Sequence, residues 1–107
     1  MEAVISLEGE VATLVNVITV EPADQQKVID LLRSGIEGFF STMPGFVSSS
    51  VLIGKDGQKV ISYSQWRNAA DIAAFRQDAR FSPYLERLRA LAKAESIACD
   101  VTYVKSA

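Results

Sequence analysis

The chain contains no histidine and a single cysteine, Cys99, among its 107 residues. Without histidine there can be no histidine-based nucleophile triad, no histidine metal ligand and no imidazole axial ligand for haem. A single cysteine cannot form an internal disulfide, so we expect a reducing, cytoplasmic location. One cysteine and scattered carboxylates do not make a metal site either. We therefore predict no metal and no other cofactor, and any chemistry must rest on asparagine, tryptophan, tyrosine, arginine, carboxylates or the substrate itself.

The sequence also lacks a long apolar run and an excess of charge of either sign. Its 11 basic and 13 acidic residues are interleaved and give a net charge of −2, so no basic stripe indicates a nucleic-acid partner. No apolar run approaches the roughly 20 residues that span a bilayer, and the acidic segment MEAVISLEGE lacks the basic start of a signal peptide. At this length we predict one domain over residues 1–107, with its core at about 11–104.

What the sequence does contain is a pattern of apolar residues that predicts strands and helices in a definite order. Strands are predicted at residues 11–20, 46–53, 60–66 and 97–104, where β-branched and aliphatic residues are concentrated. The first helix should begin at Glu21-Pro22 and bury apolar residues that recur every three or four positions. These residues are Val28, Leu31, Leu32, Ile36, Phe39 and Phe40.

Turn and cap residues divide the rest of the chain. Asp56-Gly57 predicts a hairpin between the second and third strands. Asn68 is a candidate N-cap for the second helix, and Ser82-Pro83 should start a third helix as its cap and first residue. The order β-α-β-β-α-(α)-β matches the ferredoxin-like split βαβ pattern, an α+β fold with a four-stranded antiparallel sheet and helices on one face. The side of the second helix that should be buried contains Ala70, Ala74 and Phe75.

The face of the sheet that the helices leave bare should still be apolar. Residues 11–20 are apolar on both sides of the strand, so covering one side with helices leaves an apolar surface on the other. Because such a surface rarely remains in water, we predict a homodimer that buries sheet against sheet.

One polar side chain interrupts the apolar first strand. Asn16 lies between aliphatic residues in TLVNVITV, on the strand face shared by Leu14 and Ile18. A buried amide without partners costs about 1–3 kcal/mol. Asn16 is therefore either a structural amide bonded to neighbouring groups or a polar group directed into a pocket.

A tryptophan closes the third strand. Trp66 shares one strand face with Ser62 and Ser64, because side chains alternate along a strand. Its large ring could serve only as a core anchor, or it could form the rim of a pocket in which the small hydroxyls leave space for a ligand.

Four segments together resemble the antibiotic biosynthesis monooxygenase (ABM) family. They are LVNVITVEP from residue 14, MPGF from residue 43, DGQKVISYSQW from residue 56 and DARFSPYLERLRALA from residue 78. The resemblance covers about residues 11–104. It implies a dimeric α+β barrel, in which two ferredoxin-like sheets enclose a shared interior, and a pocket in each subunit between sheet and helices.

Within that superfamily the sequence is most similar to the small cofactor-independent monooxygenases of aromatic polyketide pathways. The resemblance implies oxidation of a phenolic ring to a quinone, in which the deprotonated substrate itself reduces molecular oxygen by one electron. The protein would supply positioning, desolvation and hydrogen bonds. Asn16 and Trp66 match functional residues of these enzymes. The match implies that Asn16 hydrogen-bonds the substrate or an oxygen adduct and that Trp66 stacks on the ring.

The sequence departs from the family pattern in several places. Ser62 stands where some polyketide monooxygenases have asparagine, and Ile72 aligns near a tyrosine of those enzymes. The related haem-degrading branch has a histidine on the helix after its DAxF segment. Here DARF (78–81) is followed by SPYLE, so we do not expect haem degradation by that route.

Further candidates come from the helices and the third strand. Arg76 could hold a phenolate or carboxylate, or could simply be solvated, and Tyr63 could face either a ligand or the dimer interior. Asp100 is a conceivable base if burial raises its pKa, or else an edge charge. The predicted substrate-binding residues are Ser62, Tyr63, Phe39, Phe75, Arg76 and Tyr84.

The function predicted from these features is a cofactor-independent monooxygenase that acts on a phenolic or polyketide-like aromatic substrate with oxygen. Its expected partners are that substrate, oxygen and a second copy of the chain, with no nucleic acid and no membrane. The alternatives are a non-catalytic dimeric module that binds a small aromatic ligand, and a cyclase or isomerase that uses the same pocket.

Overall fold

The computed structural model describes residues 11–107 of the chain. The segment MEAVISLEGE, for which we predict no signal function, lies outside the described residues. The elements are β1 (Ala12–Val20), α1 (Gln25–Gly38), β2 (Phe46–Ile53), β3 (Lys59–Trp66), α2 (Ala69–Gln77), α3 (Phe81–Leu91) and β4 (Ala92–Cys99). Short 3-10 helices, Pro22–Asp24 and Phe40–Thr42, flank α1. From residue 11 onward, no helix combines the length and apolar character that crossing a membrane requires.

The strands form one sheet in the order β2-β3-β1-β4, and every neighbouring pair is antiparallel. This sheet with helices on one face confirms the predicted α+β fold. The central strand β1 pairs with β3 on one side and β4 on the other, so that Asn16 lies between Ser62 and Ser96. The β2–β3 hairpin turns at Asp56-Gly57 as predicted, and Gly57 adopts a positive φ of 80° that favours glycine.

The helices all pack on the near face of the sheet, which we define as the face carrying Leu14, Asn16 and Ile18. Two buried clusters form there. An aliphatic cluster comprises Ile18, Val20, Val28, Leu32, Val60 and Leu88. The second cluster is mostly aromatic and comprises Leu14, Phe39, Trp66, Ile72 and Phe75. The far face carries the alternate residues of each strand.

The junction between β3 and α2 is fixed by a polar network. The side chain of Asn68 accepts a hydrogen bond from the Asp71 backbone N–H at 3.0 Å, which confirms the predicted cap. Arg67 donates two hydrogen bonds of 3.0 Å to the Asp71 carboxylate. Gly45, with φ of 84°, lies so close that a Cβ there would be 2.1 Å from Asp71 Oδ2. Glycine is therefore required where the MPGF turn meets α2.

The prediction for the last strand is wrong. It was expected at 97–104, but β4 is Ala92–Cys99 and follows α3 without a loop. The segment AKAESIAC is poor in the β-branched residues typical of strands, whereas DVTYV is rich in them. The position of β4 is set by its pairing with β1, because β1 extends only from Ala12 to Val20 and pairs with residues 92–99.

Two smaller predictions about the helices are also wrong. The third helix begins at Phe81 after Arg80, so Ser82 is not its cap and Pro83 lies inside its first turn. In α2 the buried residues are Asp71, Ile72 and Phe75, while Ala70 and Ala74 are exposed. The aromatic ring of Phe75 sets which side of this short helix faces the core.

Candidate functional site

A cavity of about 280 Å³ lies between the near face of the sheet and the helices. Its floor is formed by the four strands of the sheet, and its walls by α1, the Phe40–Thr42 turn, α2 and α3. Small side chains on the strands leave this space open, because serines and alanines occupy near-face positions where larger residues would fill it. Those small residues are Ser49, Ser62, Ser64, Ala94 and Ser96.

Asn16 and Trp66, the two residues with predicted functional roles, both line this cavity. Asn16 lies in the middle of β1 and is half-buried, with no side-chain hydrogen bond to any residue in the described part of the chain. Its carboxamide is therefore not a structural amide tied to neighbouring backbone. The amide offers both a donor and an acceptor to whatever occupies the cavity.

Trp66 forms part of the wall but is almost entirely buried, with 1% of its surface exposed. Its indole N–H donates to Ser64 Oγ at 3.2 Å. Phe46 meets its ring edge-on with centroids 5.4 Å apart, and Phe75 packs against it at 4.8 Å. Because its polar atom is already paired and its ring is almost completely covered, Trp66 fixes this part of the wall and can offer a ligand only a small apolar contact.

Aromatic rings from three elements continue the wall. Phe40 meets Phe75 edge-on with centroids 5.1 Å apart and Tyr84 edge-on at 5.2 Å. Phe81 lies 5.5 Å from Phe75. Such edge-to-face contacts hold the rings in fixed orientations, so the wall presents a rigid apolar surface suited to a flat aromatic ligand.

Tyr84 is the one phenol in the cavity. Burial raises its pKa to about 12, so the hydroxyl is protonated at neutral pH and cannot act there as a base. The ring approaches α1 at Gly35, where an added Cβ would lie 2.5 Å from Tyr84 Cε1. Gly35 therefore makes room for this side of the cavity.

The charged residues that line the cavity are all basic. Arg76 of α2 and Arg89 of α3 contribute to the wall, and no aspartate or glutamate of the described residues does. Neither arginine forms an ion pair within residues 11–107. Arg80, by contrast, pairs with Asp78 at 3.0 Å and stacks on Phe39 with its guanidinium carbon 4.6 Å from the ring centroid. Both arginines are exposed, so the charged groups at the edge of the cavity are cationic, an arrangement that favours an anionic ligand.

Six of the eight predicted site residues lie around one cavity, and two lie elsewhere. The six are Asn16, Trp66, Ser62, Phe75, Arg76 and Tyr84. Tyr63 is opposite Val15 on the far face, since it alternates with Ser62 and Ser64. Phe39 is buried beneath Arg80, because the chain turns after α1 and directs Phe40 into the cavity instead. Tyr63 and Phe39, which were predicted to bind substrate, therefore do not line this cavity.

Several cavity residues were not predicted from the sequence. Ser96 and Ala94 were missed because β4 was placed too late in the chain. Arg89 carries no signal that separates it from the other helix arginines, whereas Phe40 and Phe81 were recognisable only as apolar residues. Asp100, the conceivable base, is exposed beyond the end of β4. Among residues 11–107 no group of three histidines, cysteines, aspartates or glutamates could hold a metal ion.

The sequence and the fold have counterparts in known proteins. A family model described as antibiotic biosynthesis monooxygenase matches residues 12–91. The tetracenomycin-F1 monooxygenase of Streptomyces glaucescens is 38% identical over 101 residues, which cover 94% of this chain and 90% of that protein.

Solved structures share the same architecture. SnoaB, a cofactor-independent oxygenase from Streptomyces nogalater, matches with a TM-score of 0.76 and 25% identity over 90% of this chain and 97% of its own. The monooxygenase from the gene ActVA-Orf6 of Streptomyces coelicolor, in complex with the ligand nanaomycin D, matches with a TM-score of 0.72 and 25% identity. That match covers 89% of this chain and 92% of the other.

Proposed function

This chain belongs to the antibiotic biosynthesis monooxygenase family, and we propose that it is a cofactor-independent monooxygenase that oxidises a phenolic, polyketide-like aromatic substrate. The observation that carries the proposal is the shared cavity of Asn16 and Trp66, in which the Asn16 amide has no partner among the described residues. The oxygenases described above, tetracenomycin-F1 monooxygenase among them, support the same chemistry.

The substrate supplies the electrons in this reaction. Loss of a proton gives a phenolate or carbanion, which transfers one electron to oxygen and leaves a substrate radical beside superoxide. The two combine into a hydroperoxide at the ring carbon, and loss of water leaves a carbonyl. For a ring methylene the balance is CH₂ + O₂ → C=O + H₂O.

The protein's part is to favour the anion and to position it. No carboxylate among the described residues lines the cavity, and Tyr84 holds its proton, so we assign the deprotonation to solvent base aided by the cationic groups at the edge of the cavity. Arg76 and Arg89 stabilise the anionic substrate electrostatically. Asn16 donates to the oxygen on which the negative charge develops, and Trp66 and Phe75 hold the ring plane.

The size and lining of the cavity support a flat, fused-ring substrate. At about 280 Å³ it is close to the lower end of the range for ligand pockets, about 300–1,000 Å³. Aromatic rings and aliphatic side chains form most of its wall, while its polar groups are confined to the strands and the two arginines.

Homodimerisation through the far face is part of the proposal. The far face carries apolar residues on all four strands, of which Leu52 is 50% exposed and Ile97 is 42% exposed. The register brings Leu52, Ile61 and Val17 into one row and Tyr63, Val15 and Ile97 into the next. Sedimentation velocity at micromolar concentration should show a dimer, and a compact monomer would contradict this part.

We also propose a cytoplasmic location, since the single cysteine forms no internal disulfide.

The test is anaerobic mixing of the protein with an anthrone-type substrate, followed by addition of oxygen. We expect oxygen consumption and quinone formation well above the rate in buffer alone, with one oxygen consumed per quinone. No increase over the spontaneous rate would overturn the proposal. Binding without oxygen consumption would favour a non-catalytic ligand-binding module, and a rearranged product formed without oxygen would favour a cyclase or isomerase.

A further inference from the structure

Three polar side chains form a line across the cavity floor. Asn16 of β1 is the Cα partner of Ser62 in β3 and of Ser96 in β4. All three line the cavity. We call Ser62, Asn16 and Ser96 the polar row. Since adjacent strands lie about 4.8 Å apart, the polar row is about 10 Å long.

The polar row has no internal hydrogen bonds to satisfy it. Ser62 is only 8% exposed, yet within residues 11–107 neither its hydroxyl nor that of Ser96 has a hydrogen-bond partner. Ser64, also on the cavity floor, differs because it accepts from the Trp66 indole at 3.2 Å and donates to the Leu14 carbonyl at 3.5 Å. Ser96 is exposed on the edge strand, so water can satisfy its hydroxyl, whereas Ser62 is largely buried. A ligand that displaces water from this floor must therefore supply partners for the polar row.

The spacing of the polar row fits a particular arrangement of oxygens. On a fused aromatic ring system, an exocyclic oxygen can have a hydroxyl group on each side. The central oxygen then lies about 2.5–3.0 Å from each hydroxyl oxygen, which is the distance of an intramolecular O–H···O bond. The Asn16 amide can donate to the central oxygen. The serine hydroxyls, one on each side, can lean inward and donate to the outer two.

We propose that the polar row binds the oxygenated edge of the substrate and that Ser96, contributed by the edge strand β4, determines specificity for a flanking hydroxyl. This inference rests on the proposed function and deepens it. Ser96 acts as a positioning residue, since the hydroxyl that it binds is not attached to the carbon that is oxidised. The ligand class is a fused aromatic with a carbonyl or anionic oxygen between two hydroxyls.

The experiment compares ligands that differ only in the flanking hydroxyls. Binding of 1,8-dihydroxyanthraquinone and of unsubstituted anthraquinone is measured by quenching of Trp66, which is the only tryptophan in the chain and lines the cavity. Two matched variants are used, Ser96→Val and Ser96→Thr, which share a branched shape suited to a strand and differ in the hydroxyl.

We expect Ser96→Val to weaken binding of the dihydroxy compound about fivefold, as the loss of one hydrogen bond predicts, and Ser96→Thr to restore it. Neither variant should change binding of anthraquinone, nor should Ser82→Ala, which removes an exposed hydroxyl outside the cavity wall. Equal loss for both ligands would mean that Ser96 acts only through shape, and would overturn the inference. Failure of the wild-type protein to bind the dihydroxy compound, or unchanged binding in Ser96→Val, would overturn it too.

The binding measurement needs no turnover, so the two proposals can fail separately. If Ser96 discriminates between the dihydroxy compound and anthraquinone but the protein consumes no oxygen, the role of the polar row is supported and the proposed monooxygenase activity is overturned. Oxygen consumption without discrimination by Ser96 would leave the oxygenase standing and overturn the assignment of Ser96.

Discussion

Two pairs of polar side chains, one on each face of the sheet, differ in their hydrogen bonding. On the far face Gln65 donates to Thr13 Oγ1 at 3.2 Å, and the two residues are 0% and 2% exposed. On the near face Asn16 and Ser62 belong to the same two strands and are also Cα partners, but neither side chain has a hydrogen bond within the described chain. The two far-face side chains are hydrogen-bonded to each other, whereas the two near-face side chains face a cavity.

We propose that this difference separates polar groups that stabilise the fold from polar groups that bind a ligand. A paired amide in the interior contributes to stability, and removing its partner costs free energy. An amide beside a cavity that has no partner in the protein contributes little to stability and is free to bind a ligand. Substitutions on the near face should therefore change activity more than stability, and substitutions on the far face should do the reverse.

The largest effect should come from Asn16→Leu. Loss of a donor to the developing oxyanion should lower kcat/KM for oxidation of an anthrone-type substrate about 100-fold. The free energy of unfolding should stay within about 0.5 kcal/mol of the wild-type value or rise, because an unpaired amide is replaced by an apolar side chain of similar size. Oxygen-electrode kinetics and urea denaturation give the two quantities.

Asn16→Asp serves as the companion variant. It keeps the shape of the side chain but places a negative charge against the anionic substrate, so it should be no more active than Asn16→Leu. If Asn16→Leu instead unfolded easily and kept its activity per folded molecule, the amide would be structural and the contrast between the two faces would fail.

The strand pattern revealed much of this site from sequence alone. The alternation of side chains placed Ser62 and Trp66 on one face of β3, and the apolar run around Asn16 marked it as exceptional. The same alternation excludes Tyr63 from that face, so its absence from the cavity could have been foreseen.

Other parts of the site depend on tertiary pairing that no local pattern encodes. Ser96 joins the polar row because β4 pairs with β1 over residues 92–99, although its sequence is that of a poor strand. Phe40 rather than Phe39 enters the cavity because α1 ends at Gly38 and a 3-10 turn reorients the next residues. Helical periodicity places both phenylalanines on the apolar stripe and cannot distinguish them.

A smaller effect on the near face should come from Gly35→Ala. The added Cβ would lie 2.5 Å from Tyr84 Cε1, so the ring must move, and Phe40 and Phe81 limit its movement to the cavity. We expect KM for the anthrone-type substrate to rise about tenfold as the cavity narrows. The free energy of unfolding should fall, because overpacking costs about 1–3 kcal/mol, whereas replacing glycine by alanine in a helix stabilises it by up to about 1 kcal/mol.

Gly38→Ala provides the matched control in the same helix. A Cβ at Gly38 has no atom within 4 Å, so the substitution should leave KM unchanged and should not destabilise the protein. Equal kinetic effects of the two alanines would show that the helix, and not the contact with Tyr84, controls the cavity.

The smallest effect should come from the far face, with Thr13→Val. Valine keeps the branched shape but removes the acceptor of the 3.2 Å hydrogen bond from Gln65, whose amide is fully buried. We expect the free energy of unfolding to fall by about 1 kcal/mol in urea denaturation, because a buried donor loses one partner. Since Thr13 and Gln65 do not line the cavity, kcat/KM per folded molecule should stay within about twofold of wild type. A loss of activity like that of Asn16→Leu would mean that the two faces are coupled, and the distinction between fold-holding and ligand-binding polar groups would not hold.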